Sequence, residues 1–407
     1  MQKLLVIYVG WGERWVLGTL AAHQRTMLFE YSPDALRRGL ELSPRHLKLR
    51  PEAYGDFPAF QHGLPGLIAD CLPDGWGLLL MDRFFKKHWN RDAYQITALD
   101  RLAFLGNRTM GALIFEPEKV GLEQADVDLL TLATNVRDVV DDLAESALNQ
   151  LVLVGGSPQG ARPKALVRYD PDSGHLSTLE TAPGTDWLVK FPARGEHAEV
   201  CALEHAYAEM ARMSGLNMPR TQYFPLAKGL AAFAIERFDR VGNLRVPMHT
   251  LAGALHANYQ IPSVDYQTML RMTRFMTRSE GEVHKAFERC VFNVVFNNRD
   301  DHSKNFSYCL SEEGRWALAP GYDLTFCEGP GGEHQMAVEG EGRSPGRPEL
   351  LKLAKASGVP LGTASAIIDR VAESAVQFAK VIHEYPVRRN TRRHVQAAIS
   401  ANLSRMS

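Results

Sequence analysis

The sequence predicts an α+β protein, with strands concentrated in the first 240 residues and helices in the rest. Short runs rich in β-branched and aromatic residues alternate with turn-prone residues near the N-terminus, as a meander requires; they span residues 4–9, 15–20 and 27–31. After residue 245, apolar residues recur at the three- and four-residue spacing of buried helix faces, over 268–276, 281–296, 349–356, 364–383 and 391–403. We therefore expect a sheet-rich first part and a helical last part.

Chain length and the residue patterns of successive segments indicate how the chain divides into domains. At 407 residues it is long enough for two or three domains. We expect a β-rich N-terminal subdomain over residues 1–120, a second β-rich region over 151–240 and a helical region over 241–407. Residues 121–150 are acidic and carry apolar residues on one helical face, which predicts a helix that bridges two domains.

Composition argues against several classes of protein. The formal net charge is -1, so the chain lacks the overall basic character of a protein that binds nucleic acid directly. Apolar runs stop short of the roughly 18 residues of a membrane span, and no signal-peptide pattern opens the sequence, so we expect a cytoplasmic protein that binds no membrane. The five cysteines are scattered and never form a CxxC pair, which argues against disulfides and a zinc site.

Residues 297–305 hold the densest group of reactive side chains in the sequence, and they follow a run with the apolar spacing of a buried helix. Asp300 is separated from Asn305 by four residues, and Asp323 follows after a short predicted hairpin. Phosphoryl transfer uses one carboxylate to accept the hydroxyl proton, and an amide and a second carboxylate to hold Mg²⁺. The order therefore predicts Asp300 as the base and Asn305 and Asp323 as metal ligands, although the spacing alone is a weak pattern.

A glycine-rich loop opens the second β-rich region. The apolar run 151–154, which we expect to be a strand, is followed by residues 155–164, where three glycines accompany Arg162 and Lys164. Glycines let backbone N–H groups approach an anion, and cations offset its charge, so this loop is a candidate phosphate cradle. Because it matches neither GxxxxGK[ST] nor GxGxxG, the bare pattern also fits an ordinary hairpin loop.

One strand later, Lys190 interrupts the apolar run 187–191, where a nucleotide kinase places the lysine that pairs with the phosphates. A helix predicted over 196–214 carries Glu204 at the edge of its buried face, and a carboxylate there requires a cation such as Lys190. Plainer interpretations remain open, because a strand lysine usually faces solvent and a glutamate at a helix edge is often half exposed.

The apolar run 230–235 leads into the charged pentad 236–240. A segment of this kind fits the connection between two lobes, where backbone groups and Phe238 would meet an adenine and Asp239 a ribose. Considered alone, it is equally a strand end with surface charges.

Together these segments occur in the order that a two-lobed, protein-kinase-like fold requires. Their sequence motifs resemble those of the HipA family of serine/threonine kinase toxins, over residues 155–164, 236–240, 300–306 and 322–324. The N-terminal meander, with residues 72–77 and 111–113, resembles the N-terminal subdomain of that family. The resemblance implies a β-rich N-terminal subdomain, a kinase N-lobe and an all-α C-lobe.

The resemblance also implies a role for each matching residue. Asp300 would be the catalytic base, Lys190 would pair with the phosphates of ATP, and Asn305 and Asp323 would bind Mg²⁺. Ser157 matches the serine that family members autophosphorylate, which is thought to eject the loop and switch the kinase off. The other implied ATP-binding positions are Gly160, Ala161, Arg162, Lys164, Glu236, Phe238, Asp239, His302 and Lys304.

One position departs from the family. Asp301 stands where a small residue is common, and we expect its charge, beside Asp300, to affect metal binding.

Partners follow from the same resemblance. It implies a small DNA-binding antitoxin of HipB type, and an aminoacyl-tRNA synthetase as the protein substrate whose phosphorylation halts translation. Two other functions remain open: a kinase-fold protein that mainly binds an antitoxin or another partner, and a kinase for a small-molecule alcohol. Competent residue types at all the catalytic positions favour an active enzyme.

Overall fold

The computed structural model describes residues 2–24, 26–119, 125–140, 145–156 and 158–407. The chain divides into two compact units. The first consists of Met1–Ala198 with Gln222–His249, and the second of Glu199–Thr221 with Thr250–Ser407. Both β-rich regions therefore lie in one unit, and the segment 199–221, expected in the second β-rich region, groups with the helical one. No helix in the described ranges is long and apolar enough to cross a membrane.

A four-stranded antiparallel sheet, in the order β3-β2-β1-β4, begins the first unit. The three predicted N-terminal strands are confirmed, and β4 returns beside β1. The strands are β1 (Lys3–Tyr8), β2 (Trp15–His23), β3 (Thr26–Tyr31) and β4 (Leu113–Glu116). Between β3 and β4 come the helices α1 (Pro33–Arg38), α2 (Gly66–Ala69), α3 (Gly75–Trp89) and α4 (Ala98–Leu105).

Two helices, α5 (Leu129–Val140) and α6 (Glu145–Gly155), occupy the region of the predicted bridging helix. They pack against each other inside the first unit, and α6 also packs on α3. The prediction of a strand over 151–154 is wrong, because this run is the second half of α6. Ala147, Leu148, Leu151 and Val152 are all buried at helical spacing, so tertiary burial outweighs the strand preference of the valines.

A five-stranded sheet, in the order β6-β5-β7-β9-β8, follows α6. Its central strands are antiparallel, and the face formed by Val167, Trp187 and Val189 is buried. The strands are β5 (Lys164–Asp170), β6 (His175–Ser177), β7 (Thr185–Lys190), β8 (Thr221–Pro225) and β9 (Ala231–Glu236). The short strands β10 (Arg240–Val241), β11 (Leu244–Arg245) and β12 (Met248–Thr250) end this part of the chain.

The second unit is helical around α10, which packs against α9, α12 and α14. The predicted helices are confirmed, except that residues 364–383 form two helices that meet at Gln377. The helices are α7 (Glu199–Met213), α8 (Leu251–Leu255), α9 (Tyr266–Thr277), α10 (Glu280–Val295), α11 (Arg347–Ala356), α12 (Leu361–Val376), α13 (Phe378–His383) and α14 (Arg389–Leu403). The predicted hairpin is present as β13 (Ser307–Leu310) and β14 (Trp316–Leu318).

Candidate active site

Two lysines lie side by side on adjacent strands of the five-stranded sheet in the first unit. Lys164 on β5 and Lys190 on β7 are direct cross-strand partners, and they are only 3% and 6% exposed. Side chains at opposite positions leave the same face of a sheet with their Cβ atoms about 5 Å apart, and like charges there repel. An anion bound to both ammonium groups would relieve this repulsion, so this end of the sheet is suited to phosphate.

The adjoining positions on the same face are apolar. Two residues before Lys190, Leu188 is paired with Leu166 on β5 and with Ile235 on β9. Leu166 and Leu188 are half-buried, whereas Ile235 is buried. A partly open apolar surface beside two cations can receive the base of a nucleotide whose phosphates meet the lysines. No motif marks these three residues in the sequence. Strand residues two positions apart lie on the same face, so counting back from Lys190 identifies Leu188 and its cross-strand partners.

The glycine-rich loop is fastened by a segment far earlier in the chain. The backbone N–H of Gly160 donates to the Asp74 carboxylate, and the Gly160 carbonyl accepts from the Trp76 N–H at 3.2 Å. The Trp76 indole N–H donates to the Lys164 carbonyl at 3.0 Å. Residues 72–77, in which the sequence showed no catalytic grouping, therefore set the conformation of the loop.

Glycine is required where these two segments meet. A Cβ atom on Gly75 would lie 2.6 Å from the Cα atom of Ala161, and one on Gly77 would lie 2.9 Å from the Gly156 carbonyl oxygen. Gly160 has φ 109°, which side-chain-bearing residues rarely adopt. The close approach of the backbones thus explains the glycines in residues 72–77.

The loop cations already contact protein groups. Arg162 forms an ion pair with Glu196 at 2.9 Å, and both side chains are partly exposed. The Lys164 ammonium donates to the Gln159 carbonyl of its own loop. Gln159 in turn donates from its side chain to the Asp70 carbonyl at 2.8 Å. Ser157, the predicted phosphorylation site, lies outside the described residues.

Asp239, the predicted ribose ligand, is 1% exposed. Its carboxylate accepts two hydrogen bonds from Arg237, at 2.9 and 2.8 Å, one from Arg240 at 2.8 Å and one from the Gly111 N–H at 2.7 Å. Burial alone would raise the pKa of Asp239, but the two guanidinium groups hold it well below its usual range. Asp239 is thus an ionised group satisfied inside the protein. This geometry corrects the ribose assignment and makes Asp239 a structural residue.

The neighbours of Asp239 alternate in exposure. Glu236, at the end of β9, and Phe238 are half-buried, whereas Arg237 is buried. The adenine contacts predicted for Glu236 and Phe238 are therefore compatible with their partial exposure and stay predictions.

In the second unit, the polar loop begins where α10 ends. The Asp300 side chain is 52% exposed, and its Oδ1 atom lies 3.7 Å from Nε2 of His302. Asn305 is buried, and its Nδ2 donates to the Asp300 carbonyl at 2.7 Å. With the nitrogen used in this way, Oδ1 is the atom that Asn305 can offer to a cation. The loop thus combines an open carboxylate with an amide of fixed orientation.

Asp323 is joined to this loop through its neighbour Tyr322. The Tyr322 hydroxyl donates to the Lys304 carbonyl at 2.7 Å and lies 2.6 Å from Oγ of Ser307. Asp323 has φ 55°, an uncommon conformation for a residue with a side chain, and such strain concentrates at functional sites. The residues that precede Asn305 and Asp323 are therefore hydrogen-bonded to each other.

The donor set suits Mg²⁺. Asn305 and Asp323 are hard oxygen ligands, and proteins commonly hold Mg²⁺ through one or two such groups together with substrate phosphates. Within the described ranges, no group of three or more His, Cys, Asp or Glu side chains could hold a metal by itself. A site completed by nucleotide phosphates therefore fits these residues better than an all-protein cage.

Tyr259 lies against two side chains of the polar loop, Lys304 and His302. The Lys304 ammonium lies 4.1 Å from the centroid of the Tyr259 ring, and the His302 ring is 5.5 Å from the same ring. A cation over an aromatic face is stabilised by the ring electrons. Tyr259 carries no motif, so the sequence analysis missed it.

Asp301 is buried, and its carboxylate accepts hydrogen bonds from the Tyr266 hydroxyl at 2.6 Å, His334 Nδ1 at 2.7 Å and the Gln335 N–H at 2.7 Å. These bonds direct the carboxylate into the interior, and the expected effect of its charge on the metal site stays a prediction. They also anchor the segment 328–348, through His334 and Gln335.

Glu204 is buried in α7, so the half-exposed alternative is wrong. Its predicted pairing with Lys190 would join residues of different units and stays a prediction.

Two protein-family models match the chain. The model for the HipA-like C-terminal domain matches residues 156–379, and the model for the HipA N-terminal domain matches residues 9–116. The first match alone covers more than half of the 407 residues. The chain belongs to the HipA family. The candidate residues of the polar loop and of the lysine pair lie in the C-terminal HipA domain, whereas Asp74 lies in the N-terminal one.

Solved structures confirm the HipA fold. A chain from the complex of HipA, HipB and operator DNA of the Shewanella oneidensis MR-1 toxin–antitoxin system matches with a TM-score of 0.71 and 18% identity, covering 99% of this chain and 96% of that chain. The Helicobacter pylori proinflammatory kinase CtkA matches with a TM-score of 0.41 and 12% identity, over 55% of this chain and 89% of that chain, which is too distant to carry an argument. The predicted fold class, with a β-rich N-terminal region and a helical C-terminal part, is therefore confirmed.

Proposed function

We propose that this HipA family member is a serine/threonine protein kinase of the toxin type that uses ATP and Mg²⁺. The observation that carries the proposal is the loop in which the exposed Asp300 carboxylate adjoins the oriented amide of Asn305. The cross-strand pair of Lys164 and Lys190 supports it, because two buried cations at one end of a sheet are suited to binding an anion.

Each group of candidate residues has a separate role in phosphoryl transfer. Asp300 accepts the proton of the acceptor hydroxyl while that oxygen bonds to the γ-phosphorus, and the bond from this phosphorus to the bridging oxygen of ADP breaks. Asn305 and Asp323 would hold Mg²⁺, which would supply positive charge to offset the negative charge of the phosphates. In the first unit, Lys164, Lys190 and Arg162 and the backbone of Gly160 and Ala161 would bind phosphate oxygens. In the second unit, His302 and Lys304 are the candidate phosphate ligands.

Specific recognition of the nucleotide would come from the sheet. Leu166, Leu188 and Ile235 offer an apolar surface for adenine, with Glu236 and Phe238 at its end. Phosphoryl transfer itself depends mainly on positioning and electrostatic stabilisation, so the residues that hold the phosphates and the metal matter as much as the base.

Control and partners complete the proposal. A phosphate on Ser157 would add about -1.5 to -2 charges beside the triphosphate and repel it, so autophosphorylation would switch the kinase off. The Shewanella structure is a complex with HipB and DNA, which supports a HipB-type antitoxin as the partner. As substrate we propose a translation component, an aminoacyl-tRNA synthetase in the first instance, phosphorylated in the cytoplasm.

The test is to incubate the purified protein with labelled Mg-ATP and a cell lysate, and to map the modified residues by mass spectrometry. Label on serine or threonine of proteins, absent with Asp300→Ala, is the expected result. Label only on small molecules would instead identify an alcohol kinase. Binding of an antitoxin without any transfer would identify a binding protein. Ser157 unmodified while another protein is phosphorylated would remove the off-switch and leave the kinase.

A further inference from the structure

The residue after the predicted base has a role of its own. We propose that Asp301 is a positioning residue, which ties the loop carrying Asp300 to the segment 328–343 and so holds the base in place for phosphoryl transfer. The inference rests on the proposed kinase function and adds to it a second carboxylate that touches neither substrate nor metal.

The Asp301 carboxylate joins three separate parts of the chain. One oxygen accepts from the Tyr266 hydroxyl on α9 at 2.6 Å and from Nδ1 of His334 at 2.7 Å. The other accepts from the backbone N–H groups of Gln335 and Met336, at 2.7 and 3.4 Å. Charge-assisted hydrogen bonds are about twice as strong as neutral ones, so four donors on one buried carboxylate form a firm junction.

The junction extends into the buried helices of the second unit. The Tyr266 hydroxyl also accepts from Nδ2 of Asn293 on α10 at 3.0 Å, and Oδ1 of Asn293 accepts from Nδ2 of Asn298 at 2.9 Å. Burial and the charge of Asp301 raise the pKa of Tyr266 well above its usual value, so its hydroxyl remains a donor. The polar loop is therefore attached to α9 through Asp301, which follows Asp300, and to α10 through Asn298, which precedes it.

The residue before Asp300 binds the same segment. The Arg299 guanidinium donates to the carbonyl groups of Gly332 at 2.6 Å, Arg343 at 2.9 Å and Glu328 at 3.3 Å. Both neighbours of Asp300 thus hold residues 328–343, one through a cation on backbone oxygens and the other through an anion on N–H donors. Asp300 is half exposed, and these flanking bonds, together with the one from Asn305 to its carbonyl, restrain the backbone that carries it.

Position matters for a base because transfer requires its oxygen to lie close to the acceptor hydroxyl. A misplacement of about 1 Å can cost roughly 10²-fold in rate. Loss of the Asp301 junction is therefore expected to lower kcat more than ATP affinity, because ATP affinity also depends on Lys164, Lys190 and the glycine-rich loop, which the junction does not include. This split between kcat and nucleotide affinity separates a positioning role from general destabilisation.

His334 provides the experiment. His334→Leu removes one donor to Asp301, whereas His334→Asn keeps a donor because an asparagine Nδ2 can replace the imidazole Nδ1. His394→Ala is the matched control, since His394 contacts the same segment through Glu328 in an exposed side-chain contact at 2.9 Å. For each variant of the full chain we would measure kcat, KM for the protein acceptor, Mg-ATP affinity, the thermal midpoint and amide hydrogen exchange.

We expect His334→Leu to lower kcat about 10- to 100-fold, with Mg-ATP affinity within about 3-fold of the wild type and faster exchange at residues 300–305 and 335–336. His334→Asn should recover most of the rate, and His394→Ala should match the wild type. A wild-type kcat in His334→Leu, an equal loss in His334→Asn, or ATP affinity that falls in parallel with kcat would each overturn the proposal. If the wild type transfers no phosphate, the kinase assignment fails, and unchanged exchange in His334→Leu is then what overturns the junction.

Discussion

The glycine-rich loop of the first unit and the polar loop of the second are held in place by different means. The first is held through its own backbone: the Gly160 N–H donates to Asp74, and the Gly160 carbonyl accepts from the Trp76 N–H. The second is fastened through the buried side chain of Asp301 and the guanidinium of Arg299. A neutral hydrogen bond contributes about 1 kcal/mol, and one to a charged group about 1.5–3 kcal/mol. The polar loop has more bonds that involve a charged group, so it is the more firmly held of the two loops.

Removing the base is the strongest way to test the polar loop. We expect Asp300→Ala to lower phosphoryl transfer about 10²- to 10⁴-fold, because a positioned general base contributes that much. The Asp300 side chain is half exposed, so folding should survive. Rates on any acceptor, with the thermal midpoint and ATP binding as controls, provide the measurement. Transfer at the wild-type rate would remove Asp300 from the role.

Removing a metal ligand tests whether the polar loop also binds the nucleotide. Asp323→Ala should weaken ATP binding roughly 10- to 100-fold when Mg²⁺ is present, since it deletes a charged oxygen ligand. In chelator the variant and the wild type should bind ATP alike. Calorimetry in the two conditions decides the matter, and an Mg²⁺-independent wild-type affinity would contradict the assignment.

Changing one lysine of the cross-strand pair tests the first unit. Lys190→Met should weaken ATP binding about 10-fold through loss of a charged contact. Its thermal midpoint without nucleotide is measured as well, as the control for folding. Lys86→Met, at an exposed ion pair with Asp92, is the control and should change neither quantity. Unchanged ATP affinity in Lys190→Met would argue against phosphate binding at this pair.

The smallest effect is expected where the glycine-rich loop is fastened. Gly75→Ala places a methyl group 2.6 Å from the Cα atom of Ala161, so we expect about 1–3 kcal/mol of destabilisation and a several-fold loss of ATP affinity. Gly174→Ala is the control, because its φ of 72° is strained but nothing lies within 4 Å. Only the first variant should affect ATP binding, as measured by titration beside chemical denaturation. Equal ATP affinities in the two variants would show that the loop is not held by this contact.

The sequence predicted much of the helical unit because periodicity and turns are local signals. The spacing of apolar residues identified α10, and the polar residues after it identified the loop with Asp300 and Asn305. The hairpin before Asp323 was also predictable from the sequence, since two short apolar runs flank a turn. These features depend on neighbours within about twenty residues.

The errors and omissions have a common physical cause, which is contact between distant residues. The run 151–154 became helix because its burial is set by α3 and α5. Asp239 carries the residue type of a ribose ligand, yet Gly111 and two arginines decide where it points. Asp300 and Asp301 are the same residue type, but their side chains point in different directions. Sequence spacing does not encode that difference. Asp74 could not be connected with Gly160 because 86 positions separate them in the chain.

The Asp239 cluster has a consequence at the level of the gene. Its carboxylate takes one hydrogen bond from Gly111, inside the HipA N-terminal domain match, and the others from residues inside the C-terminal match. Arg240 adds bonds to the carbonyls of Gly111 and Thr109. A recombination event that replaced one coding segment and kept the other would leave buried guanidinium groups and a carboxylate without their partners, at a cost of several kcal/mol. Selection would therefore favour inheritance of the two segments as a single block.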